Sequence, residues 1–264
     1  MTNPHGTPVW YQLVSPDPDA AEAFYGHVLG WTTAPDDPPP PPGENQFDYR
    51  EWVAPDGERI GGLMAPPPFA GMAPGWCFYA AVDDVDATIA AAVAAGAQAP
   101  MPAVDLPGTG RIALLIDPDG HRFYVMNGPA ADRSQAFQPG DAPAPGHAVW
   151  NELTAADQDR AVAFYAGLLG WHQAGAMPMG ALGDYKFVHA GPTAIGAAMN
   201  TPPGGAPGWC IYFAVDDIDA AAARVGAGGG AVVQGPDAIP GGRYSVVARD
   251  PHGASFGVVG PRRG

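Results

Sequence analysis

The chain has 264 residues, 47% of them hydrophobic, which is enough to bury two sizeable cores. Its formal net charge is −15 and its only lysine is Lys186, so it lacks the clustered cations that nucleic acid or an anionic membrane surface requires. No apolar run is long enough to span a membrane and the first residues lack the pattern of a signal peptide. With two cysteines, read as reduced buried thiols, a cytoplasmic protein is expected.

Residues 9–14 suit a short strand, with Trp10, Gln12 and Val14 on one face and Tyr11 and Leu13 on the other. Asp17 can cap a helix whose first position is Pro18; Ala20, Phe24 and Val28 form its apolar stripe and Gly30 stops it. Asp36 to Gly43 includes five consecutive prolines, read as an exposed surface insertion because prolines lack an amide donor and favour extended geometry. Residues 47–53 and 59–64 read as strands joined at Pro55-Asp56-Gly57, and residues 76–82 as a further strand. An acidic cluster then opens an Ala-rich helix ending near Gly96. Residues 111–116 and 122–126 form a hairpin about Pro118-Asp119-Gly120.

The same text then returns. Trp10, Asp17, Phe24-Tyr25 and Leu29-Gly30-Trp31 recur as Trp150, Asp157, Phe164-Tyr165 and Leu169-Gly170-Trp171, 140 residues later. Gly75-Trp76-Cys77 with Val82-Asp83-Asp84-Val85-Asp86 recurs 133 residues on as Gly208-Trp209-Cys210 with Val215-Asp216-Asp217-Ile218-Asp219. Asp117-Pro118-Asp119-Gly120 returns as Asp250-Pro251-His252-Gly253 at the same 133 spacing. A fixed-period repeat is architecture, and the change of spacing is ascribed to the proline run. The expected organisation is two homologous halves, 1–130 and 147–264, joined by a Pro/Gly linker over 131–146, in an α+β fold.

These motifs resemble the vicinal-oxygen-chelate superfamily, which holds glyoxalase I, extradiol dioxygenases, fosfomycin-resistance and bleomycin-binding proteins; the closer resemblance is to tandem glyoxalase-like proteins of actinobacteria. The resemblance implies that each half pairs two βαβββ modules whose mixed sheets curl around a cleft. It also implies a divalent metal there, held by a His or Gln of the first strand, at times a His before the Val-Asp-Asp stretch, and a Glu four residues beyond the Gly of Asp-Pro-Asp-Gly. In this chain those positions hold Trp10 and Trp150, Cys77 and Cys210, and Tyr124 and Gly257. Indole is no metal ligand and glycine has no side chain, so no metal and no cofactor is expected.

Gln12 and Glu152 follow the two tryptophans on the same strand face. Glu152 is open to three readings: a ligand for a cation, a general base, or half of a buried pair with Arg111 or Arg243. None of the seven histidines has the spacing of a paired metal motif, and no serine sits in a nucleophile elbow. The aromatics are the more telling set. Trp31 and Trp171 read as core, whereas Trp10, Trp150, Trp76, Trp209, Tyr124, Tyr79 and Tyr212 lie on strands that, by the resemblance, line a cleft.

The expected ligand-binding set is Trp10, Gln12, Trp76, Cys77, Tyr124, Trp150, Glu152, Trp209 and Cys210, with Glu152 the candidate catalytic residue. The expected function is metal-free binding of a small natural product, a cationic aromatic antibiotic, for self-resistance or relief of product inhibition. A biosynthetic enzyme of the same pathway is the expected protein partner. The alternative is an enzyme of the same superfamily, a hydroxylase-like, lyase or isomerase activity on a polyketide or small carbonyl compound, with Glu152 as base or metal donor.

Overall fold

A computed structural model describes residues 3–35, 48–66, 74–128 and 133–263. The proline run from Asp36 to Gly43 lies outside the described residues. In the first half the elements are β1 (Pro8–Val14), α1 (Pro18–Leu29), β2 (Thr32–Thr33), β3 (Arg50–Val53), β4 (Arg59–Met64), β5 (Gly75–Ala81), α2 (Val85–Ala94), β6 (Val104–Leu106), β7 (Gly110–Ile116) and β8 (Arg122–Asn127). The second half repeats them as β9 (Ala148–Ala155), α3 (Gln158–Leu169), β10 (Trp171–Pro178), β11 (Asp184–Ala190), β12 (Thr193–Asn200), β13 (Gly208–Ala214), α4 (Ile218–Ala227), β14 (Ala231–Ile239), β15 (Arg243–Arg249) and β16 (Ser255–Gly260). The fold is therefore α+β, two homologous halves of two βαβββ modules each. Among the described residues no helix is long and apolar enough to cross a membrane.

Local chemistry sets the helix ends as the sequence indicates. Asp17 and Asp157 accept backbone amides of the first turn of α1 and α3, and Gly30 and Gly170 end those helices at positive φ, where a side chain would be strained. Asp84 and Asp217 cap α2 and α4 in the same way.

Within each module the first strand lies parallel beside the last, the helix making the crossover, and the remaining strands follow antiparallel. Thus β1 pairs with β4, β4 with β3 and β3 with β2; β9, β12, β11 and β10 repeat that order. The second module of each half runs β5-β8-β7-β6 and β13-β16-β15-β14.

The compact units do not coincide with the halves. One comprises Trp10–Trp76, Gln135–Val149 and Cys210–Gly264, the other Met1–Val9, Cys77–Ser134 and Trp150–Trp209. Each unit is built from one module of each half.

In the first of these units α1 packs on α4, and the core is aromatic. Tyr25 stacks on Trp31 at 5.8 Å and meets Trp76 edge-on at 5.3 Å, with Trp52, Phe213 and Phe256 completing the cluster. Tyr25 is fully buried, so its hydroxyl needs partners: Trp76 Nε1 donates to it at 2.9 Å and it donates to Asp250 at 3.2 Å. Asp250 also accepts the amides of His252 and Ala254.

The second unit repeats the design with Tyr165. Trp209 donates to its hydroxyl at 3.3 Å and it donates to Asp117 at 3.0 Å, while Asp117 accepts the amides of Asp119 and His121 and contacts the His121 ring at 2.9 Å. The tyrosine of the Phe-Tyr motif and the first aspartate of the Asp-Pro-X-Gly motif thus meet in both units. Where the first unit has Tyr11, the second has Asn151, and the smaller side chain borders a small apolar cavity lined also by Leu153, Tyr165, Trp171 and Trp209.

Candidate functional site

From Val149 onward strand β9 alternates: Asn151, Leu153 and Ala155 are buried, the first two beside Val162 and Tyr165 of α3, whereas Trp150, Glu152 and Thr154 are half-buried on the opposite face. Two strands away, β11 turns Tyr185 and Phe187 to that same face. Strand β12, between them, places the small Ala197 opposite both Glu152 and Phe187, so large side chains from β9 and β11 meet over it. Trp150 Nε1 donates to the Tyr185 hydroxyl at 2.8 Å, and that hydroxyl donates to Glu152 Oε2 at 2.7 Å. Phe187 meets Trp150 edge-on at 6.2 Å and Tyr185 at 5.9 Å. The result is an aromatic platform with a carboxylate held at its edge by a phenol whose direction the indole fixes.

The other unit carries the same frame with different chemistry. Trp10 Nε1 donates to the Tyr49 hydroxyl at 2.9 Å, and the Tyr49 ring lies over Gly62, where any Cβ would collide with it. Gln12 stands in the place of Glu152 but is buried, its amide donating to Met64 Sδ at 2.8 Å. The carboxylate, and with it the capacity to meet a cation, belongs to the Trp150 platform.

Tyr49 and Tyr185 are the residues that sequence reasoning missed. Their signal was present as Asp48-Tyr49-Arg50 and Asp184-Tyr185-Lys186, spaced by 136 residues. Register confirms the equivalence: Arg50 and Lys186 each lie opposite the residue that pairs with Leu13 or Leu153. The repeat spacing therefore falls in two steps, 140 to 136 to 133, and the proline run alone does not account for the change.

Several expected binding residues have other duties. Trp76 is buried in the aromatic core with its N–H on Tyr25, and Trp209 packs on Tyr165 and Phe78. Strand alternation is the reason, since neighbours such as Trp76 and Cys77 cannot share a face. Cys77 is fully buried, and burial pushes its thiol up to about 12; Cys210 is also buried. As for the suggested arginine partners of Glu152, Arg111 is engaged by Asp86 and Asp105, and Arg243 donates to the Gly140 carbonyl.

The positions where the resemblance implies metal ligands do not fit a divalent ion. The two indoles donate to phenols, Tyr124 stacks flat on Tyr79 at 4.3 Å, and Gly257 lies beneath the Tyr212 ring. Among the described residues no group of three or more His, Cys, Asp or Glu is arranged to hold a metal.

Comparison with known proteins agrees with this architecture. The profile described as Glyoxalase/Bleomycin resistance protein/Dioxygenase superfamily matches residues 145–258, and that of a glyoxalase-like domain matches residues 11–126. The chain is 38% identical over 260 residues to CFP32 of Mycobacterium tuberculosis (strain CDC 1551 / Oshkosh), covering 97% of this chain and 95% of the relative. It is 31% identical to the anthracycline biosynthesis protein DnrV of Streptomyces peucetius, over 98% of this chain and 94% of the relative. The crystal structure of the Mn(II)-bound glyoxalase from Novosphingobium aromaticivorans superimposes with a TM-score of 0.64 over 98% of this chain and 83% of that one. At 20% identity, the likeness is one of fold.

Proposed function

The chain belongs to the Glyoxalase/Bleomycin resistance protein/Dioxygenase superfamily and is related to an anthracycline biosynthesis protein, and from that premise we propose that it binds a planar, cationic natural product such as an amino-sugar-bearing aromatic polyketide. The binding uses no metal at the superfamily's ligand positions, and it serves self-resistance or relief of product inhibition in the cytoplasm, alongside an enzyme of the same pathway. The observation that carries this reading is the Trp150–Tyr185–Glu152 arrangement: a half-buried indole beside a carboxylate that the tyrosine hydroxyl orients. Stacking supplies affinity, and the carboxylate meets the ammonium group. The net charge of −15 adds a salt-sensitive attraction during encounter.

The test is titration of a panel of cationic aromatic polyketides, followed by tryptophan quenching and calorimetry. The ligand should be recovered unchanged, and Trp150→Ala should weaken binding. No binding by any member, or binding indifferent to Trp150, overturns the reading.

The hydrogen bond from Tyr185 to Glu152 also favours a second reading, in which Glu152 acts as a general base in a lyase, isomerase or hydroxylase-like step on a polyketide or small carbonyl compound. There, turnover of the compound would vanish in Glu152→Gln while its binding persisted.

A further inference from the structure

We propose that His172 and His189 form a binding site for a late first-row divalent cation on the outer hairpin of the Trp150 unit. The two residues are direct partners across the antiparallel pair β10 and β11, and their rings lie 5.6 Å apart between centroids with planes inclined at 43°. Directly opposed residues of an antiparallel pair have Cβ atoms about 5 Å apart, which already brings two imidazoles over the same point of the sheet. With metal–nitrogen bonds of about 2.0–2.1 Å and ring nitrogens roughly 1 Å from their centres, a shared ion at a tetrahedral angle places the centroids roughly 5 Å apart. A small side-chain rotation covers the difference.

The ring nitrogens are available. His5, His121 and His147 are engaged with Leu168, Asp117, and Gln135 and Asp56 respectively, whereas the rings of His172 and His189 make no hydrogen bond among the described residues. His172 is exposed and His189 half-buried, so an ion can enter from water and complete its shell with it. Imidazole pairs favour nickel, copper and zinc over magnesium or calcium, which prefer oxygen. The first module holds Thr32 and Val53 at the corresponding paired positions, so the site is confined to one copy of the repeat.

Position gives such an ion two consequences. Trp171 and Val188 face the core, so alternation turns His172 and His189 to the face that carries Tyr185, Phe187, Trp150 and Glu152. A cation there sits beside the platform, on the same surface, two strands from Glu152. It also clips an edge hairpin whose outer strand, β10, is exposed along all but its first residue.

The site is distinct from the superfamily positions discussed above and needs no natural product for its test. NiCl2 and CuCl2 are titrated into the full chain after dialysis against a chelator, with calorimetry as the readout. One equivalent should bind; His172→Gln and His189→Gln should each weaken binding at least tenfold, and His27→Gln, an exposed histidine elsewhere, should leave it unchanged. In the wild-type protein, substoichiometric Cu(II) should broaden the NMR signals of residues 172 and 189 first, a readout that requires no variant. Equal binding by both variants, no binding beyond that of a buffer control, or broadening centred elsewhere each overturns the proposal.

Discussion

The hydroxyl of Tyr185 donates to Glu152 Oε2 at 2.7 Å and itself accepts the Trp150 Nε1–H at 2.8 Å. A phenol that is both donor and acceptor locks indole and carboxylate into one orientation, which is how a binding surface avoids ordering costs on ligand capture. On the proposed function, Trp150→Ala should cost on the order of 1–3 kcal/mol of binding if the ring stacks on the ligand. Glu152→Gln should cost less and should flatten the dependence on salt. Tyr185→Phe should lower affinity while leaving the salt dependence in place. Calorimetry at two ionic strengths separates the three.

Removing the Tyr25 or Tyr165 hydroxyl strips a buried carboxylate of a donor, Asp250 in one unit and Asp117 in the other. Tyr25→Phe and Tyr165→Phe should each destabilise the fold by about 1–3 kcal/mol. Asp117 retains the His121 ring as a further partner, whereas Ala254 occupies the corresponding place beside Asp250, so Tyr25→Phe should be the costlier change. Urea denaturation of the two variants provides the comparison.

Stability should also fall in alkali. Burial pushes both phenols well above the ordinary tyrosine range, and the nearby carboxylates push in the same direction. Because the folded values are raised, the unfolded chain releases these protons first. The contribution is full below about pH 10 and is lost as pH rises from there through the folded values, at about 1.4 kcal/mol per pH unit for each group. Denaturation midpoints from pH 8 to 11 should drop above about pH 10 in the wild type, and the drop should be shallower in Tyr25→Phe and Tyr165→Phe.

The Cys77 thiol, fully buried and shifted to about 12, should be inert in the native protein. A thiol-specific reagent at pH 8 should label Cys77 only after denaturant is added, as read by mass spectrometry of the digested chain. Labelling of the native protein at the rate of a free peptide thiol would mean that the strand opens.

The sequence by itself determined the repeat, the aspartate caps and glycine stops of α1 and α3, and the α+β module order, because these rest on local backbone chemistry and on periodicity within a few residues. It also brought Trp10, Gln12, Trp150 and Glu152 into view, since residues two apart on a strand share a face. The tertiary structure decided the rest. That Trp76 serves the core, that Tyr25 finds Asp250 across 225 residues of chain, that each compact unit takes one module from each half, and that Tyr185 completes the Glu152 site all depend on which strands lie side by side. Strand pairing and helix packing are fixed by burying apolar faces formed by distant segments, and a linear pattern records the faces without recording their partners.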